Sequence, residues 1–233
     1  RQWTQIGRAY GITIVVTVIG TVGSLIIVSM LAYGLAQKNL PGGKIIFLLI
    51  LITMLFNGGI VPSYIMWTRI FHLKNTITAL ILPGLLMNGF NVILMKNYFA
   101  QNIPAELIEA AKMDGAGEFK IFFKMILPLS LPIMATVGLF VGIGYWNDWT
   151  NGLYYVTDAK LYSLQNLLNR ILQDVQFLNS STMTNAGVAA TTQMPSVSIR
   201  MAISVVGILP IMVLYPFFQK YFVKGIAVGA VKG

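Results

Sequence analysis

The sequence predicts an all-α membrane protein of five transmembrane helices, with a charged connection on one side and an amphipathic helix plus a loop on the other. Three observations carry that prediction. Only 10% of the 233 residues are charged and 56% are hydrophobic, against roughly a quarter charged in an average soluble domain. The 16 Lys and Arg and the 7 Asp and Glu are gathered into short clusters, leaving tracts without a charge at 9–37, 45–68, 75–95, 125–147 and 201–219. Each tract holds 19 residues or more, enough to cross ~30 Å of hydrocarbon at ~1.5 Å per residue.

Residues 1–8 carry Arg1 and Arg8 and no initiator Met, and the span after them is too long for the apolar core of a signal peptide. The chain is therefore expected to start inside a longer protein. The first span carries Gly20, Gly23, Ser24, Ser29, Ala32 and Gly34, and the fourth Ala135, Gly138, Gly142 and Gly144. Such small residues let helix backbones approach where apolarity alone drives no association, so the spans read as a bundle. Gly58, Gly59 and Pro62 interrupt the second span, Pro83 and Gly84 the third, Pro132 the fourth, and Pro210 and Pro216 the fifth. Broken helices at membrane depth persist where neighbours or a water-filled path take up the freed backbone groups. A lumen fits that pattern, and so do the kinks of an inert bundle.

If the turn at 37–44 is cytoplasmic, the inside segments 37–44, 96–124 and 220–233 hold nine Lys and Arg in 51 residues. The outside segments 1–8, 69–74 and 148–200 then hold seven in 67. The bias favours this orientation. A net charge of +9 lying in the connections suits anionic lipid at the membrane surface rather than a nucleic acid.

Absent residues narrow the function. No span contains Asp or Glu, so an ion-coupled carrier or channel, the rival reading, lacks the buried carboxylate or selectivity ring it would need. With no cysteine and the single histidine, His72, outside the spans, haem or metal ligands for a membrane enzyme are missing too. Pro41-Gly42-Gly43-Lys44 lacks the spacing and hydroxyl of a phosphate-binding loop. The chain is expected to catalyse no bond chemistry and to hold no cofactor.

Residues 96–124 mix both signs densely: Lys96, Glu106, Glu109, Lys112, Asp114, Glu118, Lys120 and Lys124. Pro104 suits the first turn of a helix, Glu106 and Glu109 lie near its positive end, and Gly115 is placed to stop it. A second helix from Glu118 to Pro128 would lead back into the membrane. By physics alone this is equally an interfacial helix pair.

Glu109-Ala110-Ala111, Gly115 and Leu127-Pro128, with Met125 where Ile is usual, resemble the EAA signature of the membrane subunits of binding-protein-dependent ABC importers. Asp114-Gly115-Ala116 and the closing Tyr221-Phe-Val-Lys-Gly-Ile-Ala-Val-Gly-Ala-Val-Lys-Gly233 are similar to the carbohydrate branch, particularly its polysaccharide and complex-oligosaccharide members. The resemblance implies a multi-pass permease subunit in a bacterial cytoplasmic membrane. It implies a second, non-identical permease subunit, two ATPase subunits that bind the ATP and Mg, an extracytoplasmic solute-binding protein and a sugar substrate. The family core has six spans, so one is expected ahead of Arg1. The loop would be a coupling helix seated in an ATPase cleft. Glu109 would make a charged contact there, Ala110 and Ala111 would let the helix sit close, Gly115 would make the turn and Pro128 would mark entry into the next span, with Glu106, Asp114, Ala116 and Leu127 in the same coupling element.

In the external segment, Leu161, Leu164, Leu167, Leu168, Ile171, Leu172 and Val175 recur at helical spacing, with Gln165, Asn166, Asn169, Arg170, Gln173 and Asp174 between them. Residues 179–195 are small, polar and aperiodic and read as a loop; the resemblance gives it the role of meeting the binding protein, and a plain linker fits equally. Tyr145, Trp146, Asn147, Asp148 and Trp149 close the fourth span. They suit an interfacial aromatic belt and also a sugar path, since rings stack on sugar faces and amides pair with hydroxyls. Asn57, Asn88 and Asn91 are the remaining polar groups proposed for such a path, with helix-to-helix hydrogen bonding as the alternative.

Overall fold

The computed structural model describes residues 2–37, 40–84 and 86–184, and seven positions between 201 and 216, all helical. The tail at 220–233, most of the fifth predicted span and residues 185–195 of the predicted loop lie outside the described residues. Among the described residues the chain is helical and contains no strand.

Helix α1, Gln2–Ala36, has 35 residues. It contains no proline to break it, and over Thr4–Ala36 it is long and apolar enough to cross a membrane unbent. It begins ahead of the predicted tract because nothing in residues 2–8 opposes helix continuation. The second predicted span is a bent pair: α2 (Gly43–Leu55) meets α3 (Ile60–Ile65), which runs on as a π-turn over Met66–Ile70, at 114°. The break at 56–59 falls at Gly59, whose φ of 83° suits a residue without Cβ. Pro62 sits in the first turn of α3, where a missing N–H is harmless.

The third predicted span, 75–95, is not one helix. Only Thr78–Ile81 forms a short α4 before Pro83 and Gly84, and α5 (Gly89–Asn102) starts afresh behind Asn88, whose Oδ1 accepts the Phe90 N–H at 2.9 Å. That cap fixes the new start, and α5 runs past the tract to Asn102. Next come α6 (Ala105–Met113) and α7 (Glu118–Ile121), the latter continuing as a π-turn over Phe122–Ile126 and then α8 (Leu127–Leu129). The run Glu118–Leu129 meets α9 (Leu131–Trp146) at 83°. Beyond α9 lie α10 (Thr150–Tyr155), a 3-10 turn at Ala159–Leu161, and α11 (Leu164–Thr184). Helix α11 buries Leu164 and Leu168 and exposes Gln173 and Asp174, as an amphipathic helix should. It also takes in residues 179–184 of the predicted loop.

Around α1 the other helices gather: it packs along both α5 and α9 and meets α11. Its buried face is small and neutral, with Ser24, Val28 and Ala32 fully buried, whereas Ile14, Val18, Ile19 and Val22 are about half exposed. Apolar residues on both faces are what a helix between protein and lipid needs. A Cβ on Gly20 would clash with the outer edge of the Tyr145 ring, and one on Gly138 would press on Leu25 at 3.3 Å. The Tyr145 hydroxyl meanwhile donates to the Ile81 carbonyl at 2.8 Å.

Hydrogen bonds mark two ends of this bundle. At one end Thr13 Oγ1 accepts the Leu164 N–H at 2.8 Å, and Asn75 Oδ1 accepts the backbone N–H of Thr157 at 2.6 Å. At the other, Tyr33 of α1 and Gln37 just after it donate to Glu118, and the Lys96 ammonium lies 4.8 Å from the centroid of the Phe47 ring.

Gly20→Ala is expected to destabilise the chain by about 1–3 kcal/mol, because the added methyl overpacks the α1–α9 seam. Gly11→Ala, where nothing lies within 4 Å of the new Cβ, is expected to be neutral or slightly stabilising. Thermal unfolding of the detergent-solubilised protein compares the two, and equal melting temperatures would contradict this packing.

Candidate functional site

The charged connection folds as a helix, a three-bond turn and a second helix. Pro104 precedes α6, Glu106 occupies its first turn and Lys112 its last, the order that complements a helix dipole. The turn is closed by three backbone bonds: Asp114 N–H to Ala110 O at 3.0 Å, Gly115 N–H to Lys112 O at 3.0 Å, and Ala116 N–H to Ala111 O at 2.9 Å. The last two form the Schellman pair, with Gly115 in the left-handed position at φ 76°. Ala111 and Ala116, which that pair brings together, are also the turn residues that meet the core. The spacing from Ala111 to Gly115 is thus the spacing of a helix C-cap, and a larger side chain at either alanine would lift the turn from the core.

Helix α6 meets the core only through buried Ala111 and half-buried Ile108, and the rest of it is exposed. Glu106, Glu109, Ala110 and Met113 recur at three- and four-residue steps and are exposed, Met113 at 89%; Asp114 is exposed beside them. Such a stripe of two carboxylates, a methyl and a thioether has the makings of a contact surface.

The opposite side is anchored through Glu118. Its Oε1 pairs with Lys112 Nζ at 2.7 Å across the turn, and its Oε2 accepts from Tyr33 Oη at 2.8 Å and Gln37 Nε2 at 3.0 Å. The hydrogen bond from Lys112, then that from Tyr33, holds the Glu118 carboxyl below its usual range. Tyr33 also packs its ring on Phe122, centroids 5.5 Å apart, and a cleft of about 370 Å³ opens beside them. The sequence marks Glu118 as the start of the second helix but gives it no role in the site; its opposite charge to Lys112 across a turn is the one local signal. Further on, Leu127 packs on the core and Pro128 is exposed. The bend into α9 comes two residues after Pro128, at Ser130, where Pro132 lies in the first turn of α9.

The residues read as a sugar path do not form one cluster. Asn57 is exposed in the break between α2 and α3, where its Oδ1 accepts the Gly59 N–H at 2.9 Å. Asn88 caps α5, and Asn91 is buried on that helix. Tyr145 and Trp146 are buried, with the Trp146 indole N–H donated to the Gly207 carbonyl at 3.0 Å. Asn147 is exposed and accepts from Gln165 at 3.3 Å. Asp148 Oδ1 caps α10 through the N–H groups of Thr150 and Asn151 at 3.0 and 3.1 Å, and burial pushes its carboxyl above the usual range despite them. Trp149 is 42% exposed. Among the described residues no group of three or more His, Cys, Asp or Glu is placed to hold a metal ion.

Comparison with known proteins gives a consistent result. Residues 30–228 match the family described as binding-protein-dependent transport system inner membrane component. Protein LplC of Bacillus subtilis is 40% identical over 228 residues, covering 97% of this chain and 74% of LplC. The B. subtilis polygalacturonan/rhamnogalacturonan transport system permease protein YtcP is 40% identical over 224 residues, 95% of this chain and 76% of that protein. The arabinooligosaccharides transport system permease protein AraQ of Halalkalibacterium halodurans is 33% identical over 237 residues, 99% and 75% of the two chains. Among solved structures, a bacterial ABC transporter involved in the import of the acidic polysaccharide alginate superposes with a TM-score of 0.79. The two are 32% identical, and the match covers 94% of this chain and 75% of that one.

Gly115→Ala forces a side chain into the left-handed region and is expected to cost about 1–2 kcal/mol locally. Gly117→Ala, at φ −71° with open space around it, is expected to be tolerated. Amide hydrogen exchange across 105–121 reads the difference; equal protection in the two variants would contradict the turn.

Proposed function

Since this chain belongs to the family of binding-protein-dependent transport system inner membrane components, we propose that it is a permease subunit of an ATP-driven importer of oligo- or polysaccharides. It lies in the bacterial cytoplasmic membrane as a multi-pass protein and lines the pathway together with a second, similar but non-identical permease subunit. Two ATPase subunits bind ATP and Mg, and an extracytoplasmic solute-binding protein delivers the sugar. The chain itself catalyses no bond chemistry. Relatives named as permeases for polygalacturonan, rhamnogalacturonan and arabinooligosaccharides favour a carbohydrate cargo.

The observation that carries this reading is the exposed stripe on α6, poised on the Gly115 turn. We take α6 to be the coupling helix: Glu106, Glu109, Ala110 and Asp114 face the ATPase, while Ala111, Gly115 and Ala116 form the turn that holds the helix under the bundle. Closure of the two ATPases on ATP pushes α6, Leu127 and Pro128 pass the push toward the bend at Ser130, and α9 tilts. The pathway then opens alternately to either side. The end of the bundle carrying Glu118 is the cytoplasmic one on this reading, and the end carrying Asn75 and Leu164 faces the binding protein. Exposed Asn57, Asn88, Asn147 and Trp149 are the residues we assign to sugar contact. Tyr145, Trp146 and Asp148 use their polar groups within the chain and shape the surroundings, and Asn91 is buried on α5.

Gly115→Asp and Glu109→Lys are expected to leave the subunit in the membrane and to reduce sugar uptake at least about tenfold, a change worth roughly one charge-assisted contact. Uptake by reconstituted vesicles, with ATP hydrolysis measured in parallel, tests this. Normal uptake in both variants, or wild-type uptake without any ATPase subunit, overturns the reading.

A further inference from the structure

Within the importer reading, on which this inference rests, we propose that Glu118 is a positioning residue that clasps the coupling turn to the cytoplasmic end of α1. Movement of α6 is thereby passed to the longest described helix of the bundle as well as through the bent path to α9. The geometry is a single carboxylate with its two oxygens divided between two elements: Oε1 to Lys112 at the end of α6, Oε2 to Tyr33 and Gln37 at the end of α1.

Three features make this a mechanical link rather than a surface ion pair. An exposed pair of this kind contributes little alone, but here the same carboxylate accepts two further hydrogen bonds from residues 81 and 85 positions away in sequence. Tyr33 is 7% exposed and its ring lies on Phe122, one turn beyond Glu118, so its hydroxyl is held in place before it bonds. The element receiving the load is stiff: α1 is unbroken from Gln2 to Ala36, packs on α5 and α9, and in its N-terminal half holds the first residue of α11 through Thr13. The route to α9 passes through a π-turn and an 83° bend, where displacement dissipates. A tie to α1 avoids both and delivers the movement to the end where α11 lies.

The test uses the complete transporter in vesicles, with the binding protein supplied and sugar imported per ATP hydrolysed as the readout. Glu118→Ala is expected to lower that ratio about tenfold in complexes that keep their ATPase subunits, the loss of a charged acceptor with several donors. Tyr33→Phe removes one hydroxyl, keeps the ring on Phe122, and is expected to lower the ratio roughly two- to threefold; it reads the same link should Glu118→Ala fail to assemble. Glu118→Gln keeps the size of the side chain but offers its one oxygen to only one of the two elements and turns an NH2 toward the donors of the other, so it is expected to lower the ratio roughly three- to fivefold, where a merely packing role would leave it at the wild-type value. Wild-type ratios in both Glu118→Ala and Tyr33→Phe overturn the clasp while leaving the importer reading intact. Sugar uptake by the wild-type complex without ATP hydrolysis removes both.

Discussion

Close approach of α1 to its neighbours is the constraint on which the rest of this structure depends. In hydrocarbon, one apolar surface gains nothing by leaving lipid for another, so helices associate only where packing is tighter than lipid can offer. The sequence meets that demand with small residues rather than large ones. Gly20 receives the Tyr145 ring, Ser24 and Ala32 are fully buried, and Gly138 admits Leu25. Tyr145 then has its hydroxyl within reach of Ile81, so one close contact also pins the break before α5. Were α1 lined with Leu, α5 and α9 would stand farther off, and the polar contacts at its two ends would lose their geometry.

Breaks in the other helices follow from backbone chemistry. Gly59, Gly84 and Gly115 all take positive φ, and prolines fall beside or within the first turn after a break, where no donor is missed. Three breaks are supported by a side chain, Asn57 on Gly59, Asn88 on Phe90, and Asp148 on Thr150 and Asn151, whereas the Gly115 turn is closed by backbone bonds. Polar residues in apolar tracts therefore have a first duty to the backbone, and only those still exposed after it are open to a substrate.

That division explains what could be read from the sequence. The turn from Ala111 to Gly115 was legible because a helix C-cap is local: every bond in it lies within six residues. The amphipathic helix at 164–175 was legible because burial on one face imposes a period. The small residues of the first and fourth spans announced close packing, though not that Gly20 would meet Tyr145. Bends of 114° and 83° were not legible as such, since glycine and proline permit a break without fixing its angle, and the third tract gave no sign that α5 would begin at Asn88. Nor was the clasp on Glu118. Its partners Tyr33 and Gln37 lie in another span, and nothing in one sequence pairs residues so far apart.

A helix-turn-helix beneath a bundle is useful as a lever only if it is rigid where it is pushed and attached where it must pull. The Schellman turn supplies the first property, because its two crossed bonds and the buried Ala111 leave α6 little freedom relative to Ala116. Buried Ile121, Phe122 and Ile126 supply part of the second, seating the following segment in the core. Apolar seating alone resists lifting but allows sliding, since dispersion contacts have no direction. Hydrogen bonds do, and those from Tyr33 and Gln37 to Glu118 run from the start of α7 to the end of α1. The carboxylate therefore adds direction to a contact whose strength comes from packing, and on the proposed coupling role that direction matters more than further stability.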